Sequence, residues 1–233
     1  MTASYTVVIP AYNAAATIDA AIGSILGQSV PPEAIVVVDD GSTDETAALA
    51  AAMSDRVAVL RQANQGPGAA TTAGLKAVRT PFFATLDADD IWLPRKVERQ
   101  LAALHDDPDL AAVFTLGRLF RDGSEPDPAG DGAVTRLWTR TTMFFRTGAA
   151  QLVGDLVDSP GRLGELVDWL ARSREIGHRH LMLEEILAMR RIRPGSLSSN
   201  LDAERSRGYL IAARNALERR RQRAEQAGSG RDS

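Results

Sequence analysis

Four short apolar runs, Tyr5 to Ile9, Ala34 to Val38, Val57 to Leu60 and Phe82 to Leu86, alternate with segments of helical periodicity along the N-terminal half of the chain. The runs contain many β-branched residues and lack polar alternation, the pattern of strands covered on both faces. Between them Ile18, Ala21, Ile22, Ile25 and Leu26 recur at helical spacing, as do Leu75 and Val78. This βαβαβαβ order predicts an α/β fold with a mainly parallel central sheet and helices on both faces, since parallel neighbours need a crossover that lays a helix on the sheet. Ligands of such sheets bind at the carboxyl ends of the strands, so the polar residues there are the candidates for function.

Composition narrows the field. A chain of 233 residues with 44% hydrophobic content can bury one sizeable core, and a single domain is expected over residues 1–225. It divides into a ligand-binding half (1–105), a second half (106–200) and a C-terminal helix (201–225), with 226–233 as a disordered tail. Net charge of −3 gives no electrostatic footprint for nucleic acid. The chain has no cysteine, which excludes disulfides, thiolate metal sites and cysteine nucleophiles. No signal peptide and no integral membrane segment are visible, so a cytoplasmic protein is expected.

The fourth run ends in Asp87-Ala88-Asp89-Asp90, three carboxylates within four positions. Such a cluster at a sheet edge is tolerable with a bound cation or strong donors. Oxygen ligands favour a hard ion, Mg²⁺ or Mn²⁺, whose shell is usually completed by substrate phosphate. The alternative is a solvated turn capping the helix that opens near Pro94. The first run ends in Pro10-Ala11-Tyr12-Asn13, an aromatic ring and an amide suited to a base or ribose, or an ordinary turn. The second ends in Asp39-Asp40-Gly41-Ser42-Thr43-Asp44-Glu45. Ser42 and Glu45 have capping-box spacing, whereas Asp39 and Asp40 read either as hydrogen-bond partners of a base or ribose or as a pair of solvated turn residues.

Taken together, Val8-Ile9-Pro10-Ala11-Tyr12-Asn13, Val37-Val38-Asp39-Asp40-Gly41-Ser42-Thr43-Asp44, Asn64-Gln65-Gly66 and Leu86-Asp87-Ala88-Asp89-Asp90 with Pro94 resemble the nucleotide-sugar-binding half of a family 2 glycosyltransferase with a GT-A fold. The resemblance covers residues 4 to 105. It implies a nucleoside-diphosphate-sugar donor, often UDP-linked, and a divalent ion. Carried over residue by residue, Pro10, Ala11, Tyr12 and Asp40 line the base pocket, Asp87 approaches ribose or sugar beside Ala88, and Asp89 holds the metal on the diphosphate. The chain departs from the family at Ala70-Thr71-Thr72, where many members carry Ala-Arg-Asn and use the arginine to hold the nucleotide.

The second half is less regular. Residues 121–133, rich in Pro, Gly and Asp, read as a long hairpin connector or an acceptor lid. Leu137 to Phe145 read as a strand. Gly164 opens a helix ending near Gly177 with Glu165 and Asp168 in its first turn, either as dipole-compensating charges or, as the resemblance implies, as the acidic pair that deprotonates the acceptor. Leu166 occupies what resembles the second position of that pair. Asp168 is favoured as base because Asp-Trp-x-x-Arg resembles the related acceptor-side helix, with Glu165 the alternative. By the same resemblance Arg193 stands where relatives commonly place a histidine near the donor diphosphate, and it reads either as a cation for phosphate or as part of a surface basic cluster. His178 and His180 lack a third metal ligand and read as solvated strand residues.

These readings predict a metal-dependent glycosyltransferase moving a sugar from a UDP-linked donor to a peptide, small metabolite or lipid-linked sugar by an inverting displacement. Two alternatives remain: a noncatalytic nucleotide-sugar-binding protein of the same fold, and a nucleotidyltransferase. The latter would carry a basic Gly-rich loop after the first strand, where this chain has Asn13-Ala14-Ala15-Ala16.

Overall fold

The structure is a computed structural model that describes residues 4–136, 138–158, 164–193 and 203–229. The expected strands form at β1 (Tyr5–Ala11), β2 (Ala34–Asp39), β3 (Val57–Arg61) and β4 (Phe82–Thr85), with helices α1 (Ile18–Leu26), α2 (Thr46–Ala52) and α3 (Pro67–Ala77) between them. There follow β5 (Ile91–Trp92), α4 (Lys96–Asp106), β6 (Leu110–Arg121), β7 (Val134–Thr135), a 3-10 turn (Arg140–Thr142), β8 (Phe144–Arg146) and α5 (Thr147–Val153). The last described elements are α6 (Glu165–Glu175), β9 (Arg179–Ile192) and α7 (Ala203–Ser229).

Among the described residues nine strands make one sheet, in the order β3-β2-β1-β4-β8-β6-β9-β5 with β7 on β6. The first four are parallel, as predicted. Beyond β4 the sheet is mixed: β8 runs antiparallel to both β4 and β6, and β5 runs antiparallel to β9, while β6 and β9 are parallel. Register shifts near Thr115 and Leu116 irregularise the β6–β9 ladder, the kind of local bend by which a sheet curls.

Alternate residues of β1 reach opposite faces, as the period of a strand requires. Val7 and Ile9 pack with Ile18, Ile22 and Ile25 of α1 and Val97 of α4, whereas Val8 packs with Phe83, Phe145 and Trp169 on the other side. Aromatic rings hold the seam of the sheet: Phe83 stacks on Phe145, which meets Trp169 edge-on at 5.0 Å between centroids.

Several local expectations change. The capping box over Ser42 to Glu45 does not form. Asp44 accepts from the Thr46 and Ala15 amides instead, and Ser42 Oγ accepts from the Asn13 amide, so the ends of β1 and β2 are laced together. The run expected as a strand over 137–145 becomes the 3-10 turn plus short β8, with Leu137 outside the described residues. Residues 121–133 connect β6 to β7 as a hairpin. His178 and His180 are partly buried rather than solvated: both ring nitrogens facing Ser173 bond its Oγ, and His180 packs on Phe145 and Phe114. The C-terminal helix, expected to end at 225, runs to Ser229. It is tied to α6 by Arg219 and Arg223 on Glu175. Residues 230–233 lie outside the described residues.

Helix α3 lies against the sheet through Gly74. A Cβ there would sit 2.3 Å from Val8 Cγ1 and 3.2 Å from Val38 Cγ2. In an open helix Ala outranks Gly by about 1 kcal/mol, but overpacking a tight interface costs about 1–3 kcal/mol. Gly74→Ala is therefore expected to lower stability by a net of about 1 kcal/mol or more in denaturant unfolding; a stabilised variant would contradict this contact.

Candidate active site

Strand β1 ends at Pro10-Ala11-Tyr12 and turns sharply. Asn13 adopts a left-handed backbone, φ 47°, and its side-chain oxygen accepts from the Thr43 amide at 2.9 Å. This leaves the Tyr12 ring half exposed. Next to it a cavity of about 440 Å³ opens along the carboxyl ends of β1, β2 and β4, where parallel sheets bind ligands.

The cavity is lined by Pro10, Ala11, Tyr12, Asp40, Asp87, Ala88 and Asp89 from the N-terminal half, and by Glu165 and Arg193 from the second. Every expected site residue except Asp168 thus meets in one place. Asp168 sits in the first turn of α6, but its carboxylate pairs with Arg172 at 3.2 Å and Arg219 at 2.9 Å, toward α7 and away from the cavity. This is a correction to the reading that favoured Asp168 over Glu165.

The two β2-end carboxylates organise loops. Asp39 accepts from the Ser42 amide and from Arg61 Nε. Asp40 is buried and accepts from Gln62 Nε2, the Gln65 amide and the Gly66 amide, each at 2.8 Å. The loop bringing Asn64 and Pro67 to the cavity is anchored on Asp40.

The acidic cluster is crowded. Burial and the nearby Asp87 charge raise the pKa of Asp89, although Arg193 Nη2 lies 3.4 Å from its Oδ2. Asp90 is pushed up to about 8, by burial and then by Asp87 and Asp89. Its carboxylate accepts from the Arg191 amide at 2.8 Å and from Thr141 Oγ1. Arg190 Nε stands 3.9 Å from Asp90 and is a buried donor without a hydrogen-bond partner among the described residues.

The sequence reading missed Arg140. Its Nε donates to Asp87 Oδ1 at 2.7 Å and its Nη1 to Glu165 Oε1 at 2.5 Å, so one guanidinium bridges the two halves of the cavity. Burial opposes its charge, but the two carboxylates outweigh burial and raise its pKa. A lone arginine after Trp138-Thr139 carries no local signal for this role.

The departures from the family pattern also find places. Thr71 is fully buried, with Oγ1 donating to Pro67 O of its own helix, while Leu166 is a buried wall of the cavity. Among the described residues no group of three or more His, Cys, Asp or Glu is arranged to hold a metal alone. The crowding of Asp87, Asp89 and Asp90 still fits a cation that shares its shell with phosphate, because a positive charge there offsets both the burial and the mutual repulsion that raise the pKa values of Asp89 and Asp90.

The chain is similar to known proteins. The family model described as "Glycosyl transferase family 2" matches residues 6–153. The succinoglycan biosynthesis protein ExoO of Rhizobium meliloti is 45% identical over 142 residues, covering 60% of this chain and 41% of that protein. An uncharacterised glycosyltransferase of Rickettsia prowazekii is 37% identical over 99 residues, 42% of this chain and 31% of its own. The chain thus spans less than half the length of these relatives. Among solved structures, S. aureus TarS 1-349 in complex with UDP-GlcNAc superposes with a TM-score of 0.72 at 20% identity, covering 91% of this chain and 65% of that one. A mannosyltransferase of Pyrobaculum calidifontis in complex with GDP-Man and Mn²⁺ gives 0.67 at 17% identity, over 83% of this chain and 58% of that one. The α/β fold is that of GT-A glycosyltransferases. No helix among the described residues is long and apolar enough to cross a membrane.

A carboxyl whose folded pKa exceeds its unfolded one contributes stability that is fully present below the unfolded value, near 3.9, and lost as pH rises through the folded value. The metal-free protein is therefore expected to lose this contribution progressively as pH rises from about 4 to about 8, with a slope of no more than about 1.4 kcal/mol per pH unit from this group. Asp90→Asn should flatten that slope in thermal unfolding between about pH 5 and 8. An unchanged slope would show that Asp90 is ionised in the fold.

Proposed function

The chain belongs to glycosyl transferase family 2, and from that premise we propose a metal-dependent, inverting transfer of sugar from a UDP-linked donor, with Glu165 as the base. The carrying observation is that Glu165, Asp87, Asp89 and Arg193 face one cavity with Tyr12 and Asp40, while Asp168 is held under α7.

In this reading Pro10, Ala11 and the Tyr12 ring form the wall against which the base lies. The anchored Asp40 fixes the loop edge beside it. Arg193 and the unpartnered Arg190 Nε donate to diphosphate oxygens, a guanidinium geometry matched to phosphate. Asp89 would hold a divalent ion, Mn²⁺ or Mg²⁺, which when bound supplies charge neutralisation on the diphosphate leaving group. Glu165 takes the proton from the acceptor as its nucleophilic atom attacks the anomeric carbon from the face opposite the diphosphate, which inverts that centre. Arg140 fixes the Glu165 carboxylate relative to Asp87 during that transfer. The Mn²⁺ and nucleotide-sugar complexes of the structural neighbours support the donor class. The acceptor class, a peptide, a small metabolite or a lipid-linked sugar, is drawn from the sequence.

Calorimetric titration of UDP, GDP and TDP with and without Mn²⁺ tests the donor side. Expected is Mn²⁺-dependent UDP binding that Asp89→Ala abolishes; binding of another nucleotide alone, or none, overturns the UDP assignment. Glu165→Gln is expected to lower kcat about 100-fold or more while leaving UDP affinity unchanged. Asp168→Asn should mainly lower the melting temperature, and a reversal of these two effects would return the base to Asp168.

A further inference from the structure

Directly after the acidic cluster, Trp92, Lys96 and Gln100 recur at a spacing of four and are buried in the core. Lys96 and Gln100 are both fully buried, an uncommon place for a lysine. No carboxylate is paired with Lys96 among the described residues. Its Nζ donates to Gln100 Oε1 at 2.9 Å and to Met143 O at 3.5 Å, and it lies 3.9 Å from the centroid of the Trp92 ring. Burial lowers its pKa well below the usual lysine range.

The partners of this cluster form a pattern. Thr85 Oγ1 donates to Arg140 O at 2.7 Å, Trp92 Nε1 to Thr141 O at 2.7 Å, Gln100 Nε2 to Thr142 O at 2.8 Å, and Lys96 Nζ to Met143 O. Four consecutive backbone carbonyls each receive a side-chain donor from within the core. The side chains of the same turn face the other way: Arg140 to Asp87 and Glu165, and Thr141 to Asp90.

Ordinary core packing does not need this arrangement, because apolar residues would fill the space without desolvating an amine and an amide. A 3-10 turn has few backbone bonds of its own. Here they are Thr142 N to Thr139 O and Met143 N to Arg140 O, each 3.2 Å. Orientation of so short a segment has to come from outside it.

We propose that Trp92, Lys96 and Gln100 are positioning residues for the transfer reaction: they clamp the carbonyls of residues 141–143 and thereby aim the Arg140 guanidinium between Asp87 and Glu165. The inference rests on the glycosyltransferase reading of that cavity. It makes the run from Asp87 to Gln100 one device, with donor-side carboxylates at its start and the support of their arginine at its end.

The test compares Trp92→Phe, which keeps the ring and removes one donor, Lys96→Met, Arg140→Ala and the double variants with Arg140→Ala. If Trp92 and Lys96 act through Arg140, Trp92→Phe lowers kcat about tenfold with UDP affinity within about twofold, and each double variant is within about twofold of Arg140→Ala alone. Losses that multiply would reduce the cluster to ordinary core and overturn the proposal. Hydrogen exchange provides a second readout without turnover. Amides of residues 142 and 143 should exchange about tenfold faster or more in Trp92→Phe and Lys96→Met, with β1 and β4 unaffected; unchanged exchange also overturns it. If the wild type turns over no donor, the glycosyltransferase reading fails, while the exchange result still decides whether the clamp exists.

Discussion

The guanidinium of Arg140 is the contact on which the site depends. Asp87 belongs to the parallel half of the sheet and Glu165 to a helix packed on the mixed half, and nothing in either local sequence brings them together. Arg140 bonds one oxygen of each. Its environment is costly for a charge, since little of the side chain reaches solvent. Paired carboxylates make that burial tolerable, and removing either would leave the buried cation with a single carboxylate partner. The bridge therefore sets the relative position of Asp87 and Glu165, the geometry that the proposed single displacement would need.

Charge in the cavity follows from the same constraint. Asp87, Asp89 and Asp90 crowd one strand end, and Arg140, Arg190, Arg191 and Arg193 approach them from the opposite half. In the free protein these arginines only partly offset burial and the mutual repulsion, which together keep the pKa values of Asp89 and Asp90 raised. A diphosphate entering with a divalent ion would change both sides of this balance together. In the proposed function the ion would meet the carboxylates while the phosphate oxygens would meet Arg190 and Arg193, which would let a cavity with so many acids receive an anionic ligand.

Much of the N-terminal half was legible because its determinants are local. Strands β1 to β4 announce themselves through short β-branched runs, and Pro10, Tyr12, Asp40, Asp87 and Asp89 sit at strand ends where the fold class alone sends attention. The second half was less legible because its determinants are pairings distant in sequence. Residues 140–142 look like a continuation of a strand, yet their carbonyls accept from the side chains of Thr85, Trp92 and Gln100 instead of from the backbone amides of a neighbouring strand. The balance between Glu165 and Asp168 could not be struck locally either. Both lie in one helical turn, and the rotation of α6 is set by burial of Leu166, Trp169 and Leu170 together with Arg219 on α7.

The departures at Thr71 and Leu166 gain meaning from this arrangement. Position 71 points into α3's own packing, so the arginine that relatives use there has no counterpart along that helix; cationic contacts to the nucleotide must come from elsewhere. Arg190, Arg193 and Arg140 all reach the cavity from β9 or the 3-10 turn, on the side where the diphosphate and the base would lie. Leu166, at the position where the resemblance would place a second acid, is a buried apolar wall beside Glu165. A carboxylate there would offer the guanidinium a second acid in the same helical turn. With leucine, Arg140 bonds Glu165 as its carboxylate partner on α6 and Asp87 across the cavity.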